Sequence, residues 1–262
     1  MTAAQLGQHF LVSRAIAEKI VKAFLPVKGS IVEIGPGKGI LSELLVKYCP
    51  GCRITLVELD PSLANELQAR YPEPVRVLEQ DILRLDLSRV FMDEVEPVRI
   101  IGNVPYYISK ELIDWLLAQW EKVAGGVLMM QKEFVDKLLM KGRARETNAQ
   151  AMMFSGLFKS EKVCEVQPGS FSPPPKVKSV VFRFERRGPG FEEGIEPRDF
   201  YKFLKACFVK RRKTLLNNLG SLYDAGLVMG TLDDLGIDTK VRAEQLSLES
   251  FMRLYRHMLG RI

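Results

Sequence analysis

The stretch GNVPYYIS, residues 102–109, places polar and aromatic side chains directly after the predicted apolar strand 98–101. Pro105 fixes its own φ and favours an extended conformation at Val104, so the carbonyl groups of this loop point in set directions. Asn103 adds an amide and Tyr106 adds an aromatic ring to this fixed segment. Together these groups could bind a planar molecule that carries N–H donors.

A second candidate site is the loop GPGKG, residues 35–39, which follows the predicted strand 31–34 and precedes a helix. A dinucleotide-binding fingerprint would require its third glycine at position 40, which is Ile40. Glycines at alternate positions after an acidic strand residue, here Glu33, instead resemble the S-adenosylmethionine loop of Rossmann-like methyltransferases. The loop therefore predicts a nucleoside-containing cofactor.

Two further acidic residues lie at strand ends. Glu58 closes the next predicted strand, 23 positions after Gly35, and this spacing suits a carboxylate that accepts hydrogen bonds from ribose hydroxyls. Asp81 follows the third strand, where such proteins hydrogen-bond the adenine amine. Taken alone, Asp81 could as well be an aspartate that caps a helix or closes a turn, and the sequence leaves this interpretation and the adenine contact both open.

The loop at residues 102–109 then suggests a reaction. An exocyclic adenine amine is a poor nucleophile because its lone pair is delocalised into the ring. If the Asn103 side-chain oxygen and the Val104 carbonyl accept its two N–H groups, the lone pair becomes more localised and can attack a sulfonium methyl. Tyr106 would stack on the flipped-out base. No strong base is required, since the nitrogen becomes acidic once it is alkylated.

Strands alternate with helices over most of the chain, which predicts an α/β fold with a mostly parallel, doubly wound sheet. The segments 161–167 and 177–184 are expected to form a late antiparallel pair. We predict a Rossmann-like methyltransferase domain over residues 1–185, a linker at 186–197 and a small all-helical domain at 198–262.

Composition sets broader limits. The chain of 262 residues has a net charge of +6 and four cysteines, too few for a disulfide scaffold. The pair Cys49 and Cys52 flanks Pro-Gly and is interpreted as a turn, and no metal site is predicted. No apolar run long enough to span a membrane and no signal peptide is visible, so a soluble cytoplasmic protein is expected.

Basic residues concentrate at 198–213, a segment that contains seven of them and a single acidic residue, Asp199.

The residues quoted so far belong to a wider resemblance. The sequence resembles the KsgA-type small-subunit rRNA adenine N6,N6-dimethyltransferases along nearly its whole length. The matching stretches are GQHFL (7–11), VEIGPGKG (32–39), VELD (57–60), GNVPYYIS (102–109), QKEF (131–134), SFSPPPKVKSVV (170–181), RRKTLLNNLG (211–220) and RAEQLSLE (242–249). Their order and spacing make the resemblance specific, although Tyr107 replaces the asparagine that is commoner after N-x-P-Y.

The resemblance implies roles for particular residues. S-adenosylmethionine is the implied cofactor, contacted by His9, Leu11, Gly35, Gly37, Glu58, Asp81 and Asn103. The implied catalytic residues are Asn103, Val104, Tyr106 and Phe171, with Phe171 packing against the target base opposite Tyr106. The basic run Lys210, Arg211, Arg212 and Lys213 is implied to contact RNA phosphates, whereas without the resemblance it would be a solvated helix face.

The implied reaction is dimethylation of two neighbouring adenosines near the end of small-subunit rRNA, linked to ribosome biogenesis. The expected partner is this rRNA or a pre-assembled small subunit, and the protein is expected to be a monomer that binds no membrane. One alternative is an Erm-type enzyme, which dimethylates large-subunit rRNA with the same N-x-P-Y chemistry. Another is a ribosome-assembly factor whose RNA binding matters more than its catalysis.

Overall fold

The computed structural model describes residues 9–92, 96–140, 146–188 and 191–260, and these form two compact units. The first unit comprises the described residues up to Val135 together with Phe158–Arg186. The second comprises the described residues of Asp136–Leu157 and those from Arg187 onwards. The sequence analysis did not separate residues 136–157 from the rest of residues 1–185, and its domain boundaries remain a prediction.

The first unit is an α/β sandwich, which confirms the predicted fold class. Its strands in the described residues are β1 (Phe10–Leu11), β2 (Ser30–Ile34), β3 (Arg53–Glu58), β4 (Arg76–Glu79), β5 (Val98–Asn103), β6 (Val123–Gln131), β7 (Phe158–Val166), β8 (Phe171–Ser172) and β9 (Ser179–Arg186). Its helices there are α1 (Arg14–Phe24), α2 (Ile40–Tyr48), α3 (Pro61–Arg70), α4 (Leu87–Val90) and α5 (Ser109–Ala118), and α6 (Lys132–Leu138) crosses the boundary at Val135.

Seven strands form one sheet in the order β4-β3-β2-β5-β6-β9-β7. The first five are parallel, whereas β9 runs antiparallel to both β6 and β7. The predicted late antiparallel pair is therefore confirmed as β7 and β9. Because the strand order reverses between β2 and β5, the loops that follow these strands diverge and leave a crevice at the carboxyl edge of the sheet.

Local sequence explains the elements around that crevice. Every residue of β2 is buried, as expected for a central parallel strand covered by helices on both faces. Helix α1 begins after Ser13, whose hydroxyl accepts a hydrogen bond from Ile16 N, and it buries Ile20 and Phe24 against the core. Helix α3 begins after Asp60, whose carboxylate caps its first turn. These caps fix where the strand-end loops stop and the helices start.

The regular secondary structure of the second unit, in its described residues, is helical. Its complete helices there are α7 (Ala149–Leu157), α8 (Pro197–Cys207), α9 (Leu215–Leu219), α10 (Ala225–Asp234) and α11 (Leu248–Leu259). Their core is aromatic, since Phe200 stacks on Phe203 and contacts Tyr255 edge-on. No helix among the described residues combines the length and apolar character needed to span a bilayer.

The Cys49–Cys52 segment forms the predicted turn between α2 and β3, with both thiols buried. Burial raises the pKa of the Cys49 thiol to about 11, and the neighbouring Cys52 adds to this shift. A thiol with such a pKa is a weak nucleophile and a weak metal ligand at neutral pH.

A carboxyl group lies inside the main sheet. Glu33 on β2 is only 1% exposed, between Leu56 of β3 and Ile101 of β5, and neither of its oxygens makes a hydrogen bond of good geometry within the described residues, although Ser42 interacts with it. Burial raises the pKa of Glu33 to about 8, with Ser42 opposing this shift and the charge of Glu58 adding to it. This pKa favours the protonated form of Glu33 at neutral pH.

This pKa predicts how stability depends on pH. Between a pKa of about 4.5 in the unfolded chain and about 8 in the folded one, the folded state binds one proton more than the unfolded state. The free energy of unfolding should therefore fall as pH rises through this window, by about 1.4 kcal/mol per pH unit from this group. Glu33→Gln mimics the protonated form and should remove that contribution.

Urea unfolding of both proteins at about pH 5 and about pH 8 measures this difference. The stability of Glu33→Gln relative to the wild-type protein should rise with pH. The exposed Glu66 provides the control, because Glu66→Gln should follow the wild-type curve. Parallel pH curves for wild type and Glu33→Gln would show that Glu33 is ionised in the folded protein.

Candidate active site at the carboxyl edge of the sheet

A single cavity occupies the crevice in the first unit and brings most of the predicted site residues together. It lies where β2, β3 and β5 end, and the N-terminal segment forms part of its wall. Among its lining residues are His9, Leu11, Gly35, Gly37, Glu58, Asp81, Asn103, Val104 and Tyr106. Sites scattered over nearly a hundred sequence positions therefore form one continuous surface.

Glu58 ties the glycine loop to the end of β3. Its Oε2 accepts a hydrogen bond from Gly37 N at 3.0 Å, and its Oε1 accepts from Leu59 N at 2.9 Å and Asp60 N at 3.0 Å. The side chain is 2% exposed. A carboxylate has about four acceptor positions, so the backbone occupies three and leaves one, on Oε2, for a ligand. The sequence predicted a ligand contact for Glu58 and missed this structural role.

The backbone conformation of the loop at residues 35–39 explains why it is rich in glycine. Gly35 and Gly37 both have φ of +57°, in the left-handed region that favours glycine. A Cβ atom on Gly37 would also lie 3.0 Å from the Phe10 ring. The loop can thus turn sharply and direct its N–H groups, one of them to Glu58, only because these positions carry no side chain.

Asp81 serves as a cap and also lines the cavity. Its Oδ1 accepts a hydrogen bond from Leu83 N at 2.9 Å and so closes the short turn that follows β4. The cap interpretation that the sequence left open is therefore confirmed. Because Asp81 also faces the crevice, the cap does not exclude a contact between its carboxylate and a ligand.

The N-terminal segment is held across the crevice by residues far away in the chain. Strand β1 pairs antiparallel with β8, with Leu11 opposite Phe171. His9 Nδ1 lies 2.8 Å from the Pro173 carbonyl oxygen, so the same two segments are joined again one residue earlier. This two-residue pairing has no local sequence signal, and the sequence analysis did not predict it.

Asn103 ends β5 with its amide in a fixed orientation. Its Nδ2 donates a hydrogen bond to the His9 carbonyl oxygen at 3.0 Å. No residue in the described part of the chain donates to its Oδ1. The next peptide is also fixed, because Val104 N donates to the Met129 carbonyl at 3.0 Å. The amide therefore presents an acceptor oxygen, rather than a donor, to the cavity.

Tyr106 is anchored at its hydroxyl. The Tyr106 hydroxyl lies 2.7 Å from Ser179 Oγ, and the ring centroid lies 5.6 Å from that of His9 at an interplanar angle of 38°. Burial raises the pKa of Tyr106, with the Ser179 hydrogen bond opposing the shift. Tyr107 also lines the cavity but remains 51% exposed. Tyr106 is thus a neutral ring with a defined position beside Asn103.

Phe171 does not reach this cavity. It is 4% exposed and belongs to the buried hydrophobic cluster that also contains residues of α1 and β6. The structure keeps Phe171 next to the site through its pairing with Leu11, but its ring is not among the lining side chains. Its contact with a target base stays a prediction.

The basic run Lys210–Lys213 lies in the second unit, and all four of its residues are exposed. The buried Asn218 fixes the backbone that leads into this basic run. Asn218 Nδ2 donates to the Cys207 and Lys210 carbonyls, and its Oδ1 accepts from Lys210 N. Sequence reasoning singled out the charges and missed Asn218, which the stretch RRKTLLNNLG places seven residues after Arg211.

The chain is similar to known proteins over nearly its whole length. Residues 2–258 match the family described as ribosomal RNA adenine dimethylase. The Ribosomal RNA small subunit methyltransferase A of Acidobacterium capsulatum is 37% identical over 261 residues, which span 98% of this chain and 91% of the relative. The protein of the same name from Acinetobacter baylyi is 36% identical over 261 residues, which span 97% of this chain and 92% of the relative.

Solved structures show the same fold. The 23S rRNA methyltransferase ErmE superposes with a TM-score of 0.70 at 26% identity, covering 95% of this chain and 99% of that one. A dimethyladenosine transferase from Plasmodium falciparum superposes with a TM-score of 0.78 at 23% identity, covering 97% and 98% of the two chains. The family match spans nearly the whole chain, and the two relatives are more than a third identical to it over nearly its whole length. The chain therefore belongs to the ribosomal RNA adenine dimethylase family.

Proposed function

We propose that this protein transfers methyl groups from S-adenosylmethionine to the N6 atoms of two adjacent adenosines near the 3′ end of small-subunit rRNA. The observation that supports this most strongly is the orientation of Asn103 at the end of β5. An amide whose Nδ2 is bonded to the His9 carbonyl offers its oxygen to an N–H donor in the cavity. A primary amine on a planar base is such a donor.

The residues of the crevice fit S-adenosylmethionine, which supplies a methyl group on a positively charged sulfur. The free acceptor position on Glu58 suits a ribose hydroxyl. Glu33 lines the crevice, and its carboxyl oxygens make no hydrogen bond of good geometry within the described chain. Bringing a cation close to this carboxyl would favour its ionised form, so we expect cofactor binding to lower the pKa of Glu33 and release a proton.

The residues of the N-V-P-Y loop act on the adenine amine. The Asn103 oxygen and the Val104 carbonyl each accept one of its N–H groups. These acceptors would favour a pyramidal nitrogen whose lone pair is free to accept the methyl group that the bound cofactor would supply, with the thioether as leaving group. The alkylated nitrogen then loses a proton to solvent. The hydrogen bonds strengthen as the nitrogen loses conjugation, so they lower the barrier more than they tighten ground-state binding.

Tyr106 positions the base. Its ring stands beside Asn103, and its hydroxyl is anchored on Ser179, so the stacking face is set before RNA binds. Base–aromatic stacking contributes about 1–3 kcal/mol per base. Holding the amine in line with the methyl group can lower the barrier by up to about 7–11 kcal/mol. The position of Tyr106 therefore matters more than the acidity of its hydroxyl.

The similarity to ErmE makes large-subunit rRNA the competing substrate, with the same chemistry at a different adenosine. The curated relatives named above, at 36–37% identity, favour small-subunit rRNA. We further propose that the protein acts as a monomer in the cytoplasm, on rRNA or on a pre-assembled small subunit. Mapping N6,N6-dimethyladenosine by mass spectrometry, after reaction of the purified protein with unmethylated small and large subunits, distinguishes the substrates. Methylation confined to the large subunit would contradict the proposal.

Replacing Asn103 tests the proposed chemistry. We expect Asn103→Ala to slow methyl transfer at least about 10²-fold, comparable to removing one preorganised polar group from an active site. RNA affinity should change little, because binding is spread over many phosphates. The measurement is single-turnover methylation of unmethylated small subunits at saturating cofactor, with RNA binding measured separately. The exposed Asn65 provides the control, and Asn65→Ala should retain the wild-type rate. A near wild-type rate for Asn103→Ala would show that the N-V-P-Y loop is only a turn.

Replacing Glu58 tests the cofactor site. Glu58→Ala should weaken S-adenosylmethionine binding and also lower the free energy of unfolding, by about 1.5–3 kcal/mol, because three backbone N–H groups lose their acceptor. Calorimetry with the cofactor and urea unfolding measure the two effects. Glu79 is the matched control, since it stands opposite Glu58 on the neighbouring strand and is exposed. If Glu58→Ala and Glu79→Ala behave alike in both assays, Glu58 organises neither the loop nor the cofactor site.

A further inference from the structure

Three lysines of the first unit meet at one carboxylate, outside the cavity. Glu165 Oε1 lies 2.6 Å from Lys162 Nζ and 3.3 Å from Lys132 Nζ, and Glu165 Oε2 lies 4.0 Å from Lys178 Nζ. We call Lys132, Lys162 and Lys178 the lysine cluster. Among these four side chains, positive charges outnumber negative ones by two. All four are partly exposed, so the cluster forms a positively charged surface.

A β-bulge makes this cluster possible. Lys162 pairs opposite Phe182, whereas Cys164 pairs opposite Val181, so Val163 is an extra residue in β7. In a regular strand, residues three apart point to opposite faces of the sheet. The extra residue restores Lys162 and Glu165 to the same face. Bulges of this kind occur next to active sites, where they redirect a side chain.

Stability alone does not account for the cluster. Partly exposed ion pairs contribute little to stability, and the hydrogen bonds from Lys162 and then Lys132 only hold the pKa of the Glu165 carboxyl below its usual value. Protection of the edge strand β7 would explain Lys162. It would not explain why Lys132, which begins α6, and Lys178, which precedes β9, converge on the same carboxylate.

The cluster is connected to the residue that holds the target base. Lys178 immediately precedes Ser179, whose hydroxyl anchors Tyr106. Lys132 N donates to the Lys178 carbonyl at 3.0 Å, so the two lysine-bearing segments are bonded to each other. The cluster therefore occupies the carboxyl edge of β6, on the same sheet edge as Asn103, which pairs with Met129.

We propose that the lysine cluster binds backbone phosphates of the RNA strand that carries the target adenosine, and so positions that strand for stacking on Tyr106. This inference rests on the proposed function and adds a contact surface in the first unit to the basic run in the second. Glu165 holds the three ammonium groups close together, so that less side-chain freedom is lost when phosphate binds.

The test compares two triple variants of equal charge. The first is Lys132→Gln, Lys162→Gln and Lys178→Gln together. The second is Lys28→Gln, Lys47→Gln and Lys122→Gln, whose lysines lie at the opposite edge, where β2 and β6 begin and α2 ends. The probe is a fluorescently labelled RNA hairpin whose loop carries two adjacent adenosines. Affinity is measured as a function of salt concentration, and cofactor affinity is measured to show that the fold is retained.

Each phosphate contact with a single strand contributes about 0.7 to the slope of log affinity against log salt. The cluster variant should therefore lose about two units of slope relative to the control variant, with weaker RNA binding and unchanged cofactor affinity. Glu165→Gln removes one negative charge, which leaves the three ammonium groups free to pair with phosphates, and should steepen the slope. Equal slopes for the two triple variants, or a shallower slope for Glu165→Gln, would overturn the proposal.

The outcome is separable from that of the proposed function. If the wild-type protein binds the hairpin but methylates no ribosomal subunit, the function fails while the slopes still test the cluster. If wild type methylates small subunits and the two triple variants bind RNA alike, the cluster is an ordinary edge-strand ion network and the function stands.

Discussion

The hydrogen bond from Asn103 Nδ2 to the His9 carbonyl is the contact on which the candidate active site depends. It decides which end of a nearly symmetric amide faces the cavity, and hence whether Asn103 accepts or donates a hydrogen bond there. The carbonyl is available only because β1 lies across the crevice, held by β8 and by the contact of His9 with Pro173. Residues at the start of the chain and around position 172 thus determine the chemistry of a residue at the end of β5.

Two carboxyl groups that line the crevice, those of Glu58 and Glu33, have opposite environments. Glu58 accepts three backbone hydrogen bonds, which stabilise an anion and fix the glycine loop. Glu33 makes none of good geometry among the described residues, and its burial favours the neutral form.

The parts that could be predicted from sequence are those set by short-range patterns. The alternation of strands and helices, the turn at Cys49–Cys52 and the glycine loop depend on neighbouring residues, and all appear in the structure. The pairing of β1 with β8, the bulge at Val163 and the bond of Asn218 to the basic run depend on residues that meet only after folding. Phe171 shows the limit clearly, because its type fits both a base platform and a core residue, and burial places its ring in the core.

Neutron diffraction tests the central claim most directly, because it distinguishes an amide nitrogen with its deuterons from an amide oxygen. The sample would be a deuterium-exchanged crystal of the protein with S-adenosylhomocysteine and adenosine. We predict a deuteron on Asn103 Nδ2 directed at the His9 carbonyl, and Asn103 Oδ1 accepting a deuteron from the adenosine amine. An amide in the opposite orientation, with its nitrogen facing the base, would contradict the account.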